Sequence, residues 1–181
     1  MYAHHCDAYS NPGTRMLTVT RLKKGCSPDS QVIVKVVRVW REARAQHLAF
    51  LTELHDADED CNYLSRVVLP ANEVWVAEVD QVVSGFIAFE KGWINQLYVA
   101  PRFQRRAIGT ELLNIAKRDN TSLQLWAFAV NHPAIRFYQR LGFRAMERTN
   151  GSCNEAKQPD VRMRWDAPFG ALDPVANADQ G

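Results

Sequence analysis

The sequence has little cysteine and no long apolar run, and both absences narrow the class of protein. Its four cysteines, Cys6, Cys26, Cys61 and Cys153, are far apart and form no C-x-x-C pair. Neither a zinc site nor a small disulfide scaffold is therefore indicated. No stretch approaches the roughly 20 apolar residues of a membrane span, and the N-terminus lacks the apolar core of a signal peptide. We expect free thiols, no metal site, no membrane contact and a cytoplasmic location.

An excess of charge of one sign is also missing. The 22 lysines and arginines nearly balance the 20 aspartates and glutamates, which gives a net charge of +2. The basic cluster of Arg102, Arg105 and Arg106 is short and has no row of aromatic residues beside it, so we expect no nucleic-acid partner. Any site for an anion must therefore be local.

The hydrophobic pattern predicts one α/β domain over residues 16–167, between a disordered leader (1–15) and a flexible tail (168–181). Alternating or nearly continuous apolar runs predict strands. Asp80-Gln81 is predicted to form a hairpin turn, and Gly85 marks a bulge. The predicted strands are "MLTVTRL", "EVWVAEV", "VVSGFIAFE", "WINQLYV", "LQLWAFAV", "FRAMERT" and "VRMRW".

Helical signals lie between these strands. Ser27 followed by Pro28 predicts a cap and first turn for a helix that runs towards Leu51. Asp56 with Glu59 three residues later predicts a capping box for a second helix. We interpret the acidic run around it as carboxylates that stabilise a helix N-terminus, rather than as a cation-binding loop. Two further helices are predicted, one after Gly109 and one in "NHPAIRFYQRLG".

The segment "LYVAPRFQRRAIGTELLNIAK" gathers three arginines where a helix begins. A helix N-terminus already carries partial positive charge, so this arrangement favours an anionic ligand. The segment lacks the Gly-Lys-Ser/Thr of a Walker loop and the three glycines of a dinucleotide-binding loop. From this segment alone, a plain turn with solvated arginines stays equally open.

A second motif, "VNHPAIRFYQRLGF", follows one strand later. Together the two segments resemble the GCN5-related N-acetyltransferase superfamily, most closely from Glu73 to Phe143. Gln104, Ala107 and Gly109 match its loop pattern, Gln/Arg-x-x-Gly-x-Gly/Ala, although Ala107 replaces the usual glycine. An alanine still lets the backbone approach a phosphate if its φ is negative, so this departure weakens the match without cancelling it. The family pattern for the second motif is Asn-x-x-Ala-x-x-Phe-Tyr-x-x-x-Gly-Phe. It is matched by Asn131, Ala134, Phe137, Tyr138, Gly142 and Phe143.

The resemblance implies a mixed, mainly antiparallel sheet of six to seven strands with flanking helices, splayed between the fourth and fifth strands. It implies acetyl-CoA as co-substrate and direct acetyl transfer to a primary amine, which we interpret as that of a small molecule. A protein or peptide N-acetyltransferase, a non-catalytic acetyl-CoA sensor and an unrelated interaction module stay as alternatives, and a homodimer is one option for the assembly. The implied cofactor-binding residues are Leu97, Tyr98, Val99, Gln104, Arg105, Arg106, Ala107, Ile108, Gly109, Thr110, Asn131 and Tyr138.

Tyr138 is the predicted catalytic residue within the matched motif. A phenol with a pKa near 10 has a basicity similar to that of a thiolate, so it suits a general acid. We expect Phe137 to take the core position beside it. The general base stays open between a water relay and the side chains of Glu73, Glu78, Glu90 and His55. The acceptor is expected between the two N-terminal helices and the loop from Asn150 to Asp160, where Asn154, Glu155 and Asp160 are available for a cationic amine.

Overall fold

A computed structural model describes residues 16–49 and 55–168 of the 181-residue chain. The predicted leader and all but the first residue of the predicted tail lie outside the described residues. The strands are β1 (Leu17–Arg21), β2 (Glu73–Val79), β3 (Val82–Glu90), β4 (Trp93–Val99), β5 (Ser122–Phe128), β6 (Arg144–Thr149) and β7 (Asp160–Asp166). The helices are α1 (Gln31–His47), α2 (Ala57–Tyr63), α3 (Ile108–Arg118) and α4 (His132–Arg140).

The strands form one sheet in the order β1-β2-β3-β4-β5-β7-β6. Every neighbouring pair is antiparallel except β4 and β5, which are parallel. That parallel pair meets only at Trp93 and Gln124, where the Gln124 N–H donates to the Gly92 carbonyl at 2.8 Å. Beyond this point the two strands diverge and leave a gap. The predicted mixed sheet with a splay between its fourth and fifth strands is confirmed.

Helices cover both faces of the sheet. On one face, Ile87, Leu123 and Met163 are buried in a core shared with α3 and α4. On the other, Val76 and Phe86 are buried under α1 and α2. Across the described ranges, no helix is long and apolar enough to cross a membrane. The gap therefore lies inside a sheet whose two faces are packed by different helix pairs.

Helix α1 begins three residues later than predicted. Its N-cap is Ser30, while Ser27 and Asp29 are hydrogen-bonded to each other in the turn before it. The local pattern of serine before proline misled the prediction, because a second serine stands just before the apolar stripe. The capping box of α2 is confirmed: Asp56 accepts from the Glu59 N–H, and the Glu59 carboxylate accepts from the Asp56 N–H, both at 2.8 Å.

Helix α2 continues into a π-helical turn, Leu64–Val68, and a last turn, Leu69–Ala71. The Leu69 N–H donates to the Leu64 carbonyl, one residue further back than in an α-helix. Pro70 explains this widening, because its ring clashes with the carbonyl of Arg66 four residues earlier and it has no N–H to donate. The sequence analysis did not predict this turn.

A buried ionic cluster joins α1 to α2. The Asp60 carboxylate is 2% exposed and accepts hydrogen bonds from Arg41 Nη1 at 2.6 Å and from Arg44 Nη2 at 2.7 Å. Arg41 also donates to the His55 carbonyl at 2.9 Å, and the Arg44 guanidinium lies over the ring of Trp40. One carboxylate therefore compensates two cations and holds the segment that precedes α2.

We predict that Asp60→Asn lowers the free energy of unfolding by about 3–5 kcal/mol, since removing one partner leaves buried charge uncompensated. Urea unfolding measures the loss. Glu42→Gln is the matched control, because its ion pair with Arg38 is at the surface and is expected to contribute less than about 0.5 kcal/mol. Equal losses in the two variants would contradict this role for Asp60.

Candidate active site

A cavity of about 560 Å³ opens at the gap between β4 and β5. It is bordered by the end of β4, the loop before α3 and the first turn of α3, one side of α4 along its length and the end of α1. All the predicted cofactor-binding residues except Arg106 line it. The Arg106 guanidinium instead lies 5.7 Å from the ring of Phe103. The fold thus brings the two sequence motifs together, and the roles of their residues stay predictions.

The backbone of β4 offers unpaired groups to this cavity. The Ala100 N–H donates to the Ser84 carbonyl of β3 at 2.9 Å. Because antiparallel partners alternate in direction, the N–H groups of Leu97 and Val99 then point away from β3, towards the gap. A shift of register between Ala88 and Phe89 gives β4 an extra residue and sets this alternation.

The loop before α3 presents further N–H groups. Arg105 and Ala107 have φ of 59° and 62°, so left-handed residues recur along the loop. Such a sequence of conformations turns successive N–H groups to one side and forms an anion-binding concavity. The first helical hydrogen bond runs from the Glu111 N–H to the Ala107 carbonyl at 3.0 Å, so the amides before it have no helical acceptor. The φ of Ala107 is positive, so the condition under which an alanine would fit this position without strain is not met.

Gln104 ties this loop to the rest of the site. Its side-chain amide donates to the Val99 carbonyl at 3.1 Å and to the Gln46 side chain at 3.0 Å. The loop is thereby attached to both the end of β4 and the last turn of α1. A glutamine in the first position of the loop motif has a structural reason to be there.

Gly109 lies at the second position of α3 and packs against α4. A Cβ added there would lie 3.2 Å from the ring of Phe137 and 3.7 Å from a methyl group of Val99. The glycine therefore allows close packing of the two helices, because a Cβ there would force the Phe137 ring to shift.

Tyr138 is more deeply placed than the sequence analysis expected. It is 8% exposed and packs edge-on against Phe137 and Phe143, with ring centroids 5.2 and 5.4 Å apart. Phe137 is only partly buried, so the expectation that it takes the core position was wrong. Burial, with a smaller contribution from Tyr98, raises the pKa of Tyr138 well above its usual range. The phenol therefore stays protonated and is available as a hydrogen-bond donor.

Sequence reasoning missed three cationic or titratable residues of the cavity: His47, Arg136 and Arg140. The two arginines were detectable, because they follow Pro133 at helical spacing on one face of α4. His47 was not, because it reaches the cavity only through the packing of α1 beside β4.

The four side chains considered as general bases lie elsewhere. Glu73 is 3.4 Å from Arg21, and Glu90 accepts from the Asn95 amide at 3.0 Å. His55 Nε2 lies 3.1 Å from a Glu155 carboxylate oxygen. Glu78, on β2, is not among the lining residues either. Within residues 16–49 and 55–168, no carboxylate lines the cavity, and no cluster of three or more potential metal ligands occurs.

Comparisons with known proteins agree with this geometry. Residues 70–145 match the family model described as an acetyltransferase (GNAT) domain. The chain is 36% identical over 111 residues to the peptidyl-lysine N-acetyltransferase YiaC of Escherichia coli (strain K12), which covers 59% of this chain and 73% of that protein. It is also 36% identical over 93 residues to the uncharacterized N-acetyltransferase MJ1207 of Methanocaldococcus jannaschii, covering 42% of this chain and 41% of that one.

Two solved structures share the fold. Apo YjaB from Escherichia coli has a TM-score of 0.66 at 18% identity, covering 84% of this chain and 99% of YjaB. The PaiA N-acetyltransferase from Thermoplasma acidophilum, solved in complex with coenzyme A, has a TM-score of 0.62 at 20% identity, covering 83% and 99%. At these identities the likeness supports the fold alone.

We predict that Ala107→Gly raises the free energy of unfolding by about 0.5–1 kcal/mol. The left-handed conformation costs an alanine about 1–2 kcal/mol, which exceeds the entropic penalty of a glycine. Denaturant unfolding measures the difference. Ala45→Gly in α1 is the control, since an exposed helical alanine loses about 0.5–1 kcal/mol on the same change. A similar loss at position 107 would mean that the left-handed conformation is not strained.

Proposed function

The chain belongs to the GCN5-related N-acetyltransferase superfamily, and on that premise we propose that it transfers the acetyl group of acetyl-CoA to the primary amine of a small molecule. It is an N-acetyltransferase with acetyl-CoA as co-substrate. The observation that carries the proposal is the cavity at the β4–β5 gap, where unpaired backbone N–H groups and the Tyr138 phenol converge.

The loop before α3 fits the pyrophosphate of the co-substrate. Its left-handed residues, Arg105 and Ala107, direct N–H groups to one side, and the partial positive charge of the α3 N-terminus adds to them. Arg105 lines the cavity as well. We assign the backbone from Arg105 to Thr110 to the phosphates. The side chain of Arg106 is left out, because it does not line the cavity.

The end of β4 is assigned to the pantetheine arm. The gap-facing N–H groups of Leu97 and Val99 and the Leu97 carbonyl suit an extended chain that pairs as an additional strand. Asn131 lines the same cavity, while its side-chain oxygen also accepts from the Ala134 N–H and caps α4. We propose that the amide group of Asn131 that remains free contacts the arm.

Bound acetyl-CoA supplies an acyl group activated as a thioester. One of the N–H groups of Leu97 and Val99 then stabilises the carbonyl oxygen as it gains negative charge, and the other pairs with the arm, because residues two apart on a strand are separated by roughly 6.6 Å. Tyr138 donates a hydrogen bond and a proton towards the leaving sulfur. Because no carboxylate lines the cavity in the part of the chain that the structure describes, we assign removal of the amine proton to a water relay, with the His47 imidazole, which also lines the cavity, as the alternative base.

A contact between two distant segments favours a small acceptor. His55 precedes α2, and Glu155 lies in the loop between β6 and β7. Their side chains meet at 3.1 Å. We propose that this His55–Glu155 bridge limits access to the gap, which a small amine passes more readily than a folded protein. The similarity to a peptidyl-lysine N-acetyltransferase favours peptide acceptors as the second candidate.

Acceptor competition tests this choice. We predict that the wild-type protein acetylates small primary amines with a kcat/KM at least about ten-fold above that for lysine-containing peptides, equivalent to about 1.4 kcal/mol of discrimination. Glu155→Ala should reduce this ratio, because it opens the bridge. Glu147→Ala removes an exposed carboxylate on β6 and serves as the control. A wild-type preference for peptides would favour the second candidate.

We predict that Tyr138→Phe lowers kcat for thioester cleavage by about 10²–10⁴-fold, the usual cost of losing a general acid. Acetyl-CoA affinity and the melting temperature should stay unchanged, because the ring packing is retained. Tyr63→Phe, at an exposed position on α2, is the control.

The pH dependence follows from the raised pKa of Tyr138. The phenol of the folded protein keeps its proton above the ordinary tyrosine value of about 10, so ionisation of Tyr138 should cause no fall in kcat between about pH 7 and 10. An unchanged kcat in Tyr138→Phe would reduce Tyr138 to a packing residue. A protein that binds acetyl-CoA but acetylates no amine would instead be a sensor.

A further inference from the structure

A second pocket, of about 410 Å³, lies at the carboxyl end of β5. It is lined by Trp126, Ala127, Phe128, Thr149, Cys153, Asn154 and Asp160. Its walls come from β5, the end of β6, the start of β7 and the loop between those last two strands. Its size is in the range of small-molecule sites, and it combines aromatic rings with one carboxylate.

The Asp160 carboxylate is held in place by neutral donors. One oxygen accepts from the Thr149 hydroxyl and the other from the Asn154 amide at 2.9 Å. In the described part of the chain, no lysine, arginine or histidine forms an ion pair with it. A fixed, half-buried carboxylate without a cation attracts a positively charged ligand group.

The indole of Trp126 is 44% exposed, although tryptophan is a large apolar side chain. The nearest cationic neighbour along the ladder is Arg162, its cross-strand partner. That guanidinium is engaged by the Gln124 side chain at 2.6 Å and by the Glu147 carboxylate at 2.9 Å. Among the described residues, no cation of the protein lies over the Trp126 ring. The ring face is therefore free to receive the cation of a ligand.

The pocket lies beside the proposed acetyl-transfer site. Along β5, Leu125 and Ala127 are buried in the core shared with α3 and α4, so Trp126 and Phe128 face the opposite side, that of α1 and α2. β5 borders the gap, and Asn131, three residues beyond Phe128, lines the first cavity. The second pocket is therefore at the β5 side of the gap, three residues along the chain from the first cavity.

The loop between β6 and β7 forms one wall of the pocket and is held in place by its own hydrogen bonds. Asn154 donates to the Gln158 carbonyl at 2.7 Å and accepts from the Gln158 N–H at 3.2 Å. Gly151 has φ of +80°, and a Cβ there would lie 2.2 Å from the Gln158 carbonyl oxygen. The same loop contains Glu155, which contacts His55, so one loop forms part of both the pocket and the His55–Glu155 bridge.

We propose that this pocket binds a second cationic group of the acceptor, so that the preferred substrate is a small diamine. One amine reaches the gap while the distal ammonium lies between the Trp126 ring and the Asp160 carboxylate. The inference rests on the proposed function and adds the substrate class to it.

The test compares 1,6-diaminohexane with hexylamine, which has the same chain length but lacks the distal ammonium. For the wild-type protein we expect a KM for the diamine about ten-fold lower than that for hexylamine. Trp126→Leu and Asp160→Asn should each remove most of this difference and leave kcat for hexylamine unchanged. Trp126→Phe should restore part of it, and Glu42→Gln, whose ion pair with Arg38 is at the surface of α1, should leave it intact.

Equal KM values for the two amines in the wild-type protein would overturn the proposal. So would a difference that persists in Trp126→Leu, a variant at an exposed position that keeps the test valid if Asp160→Asn fails to fold. If the protein preferred lysine peptides with a neighbouring basic residue and did not prefer the diamine over hexylamine, the proposal of a small acceptor would be overturned.

Calorimetric titration of both amines into the CoA-bound protein separates the two levels of inference. Absence of acetylation of either amine contradicts the proposed function. The pocket assignment still stands if the diamine binds more tightly than hexylamine and Trp126→Leu abolishes the difference. It fails if the two amines bind with equal affinity.

Discussion

The structure depends on one interrupted ladder. β4 and β5 are hydrogen-bonded only at Trp93 and Gln124 and separate towards their carboxyl ends. Backbone N–H and carbonyl groups that lose a partner inside a protein must find another acceptor or donor. The gap therefore leaves backbone groups with which an extended ligand can pair, in the middle of an otherwise paired sheet. An internal pair of strand edges becomes a binding site, because the helices on both faces protect it from other chains.

The elements around the gap present hydrogen-bond donors to such a ligand. The bulge in β4 sets which amides face the gap, and the left-handed residues before α3 turn further amides towards the same cavity. Gln104 joins these two groups of donors. Gly109 lets Phe137 approach α3, which brings α4 and Tyr138 beside the cavity. Packing and ligand binding thus use the same glycine and the same strand end.

The acceptor side is built from different parts of the chain. Asp60 compensates Arg41 and Arg44 and fixes the segment that contains His55. The loop between β6 and β7 reaches His55 through Glu155 and also forms the pocket around Asp160. A change that loosens the buried cluster is therefore expected to alter acceptor access as well as stability. The proposed acetyl-CoA site and the proposed amine site thus depend on different parts of the hydrophobic core.

The strands, the fold family and most of the residues around the main cavity were predictable from the amino-acid sequence, because they depend on local periodicity and on two motifs with defined spacing. It also identified the Asp56 capping box, since a cap is a local hydrogen-bonding pattern. It did not determine the sign of φ at Ala107, the depth of Tyr138, or the bridge between His55 and Glu155, which are 100 residues apart. Those features depend on how distant segments of the chain pack together. They could be seen only in the tertiary structure, because burial and long-range contacts arise when separate elements share one core.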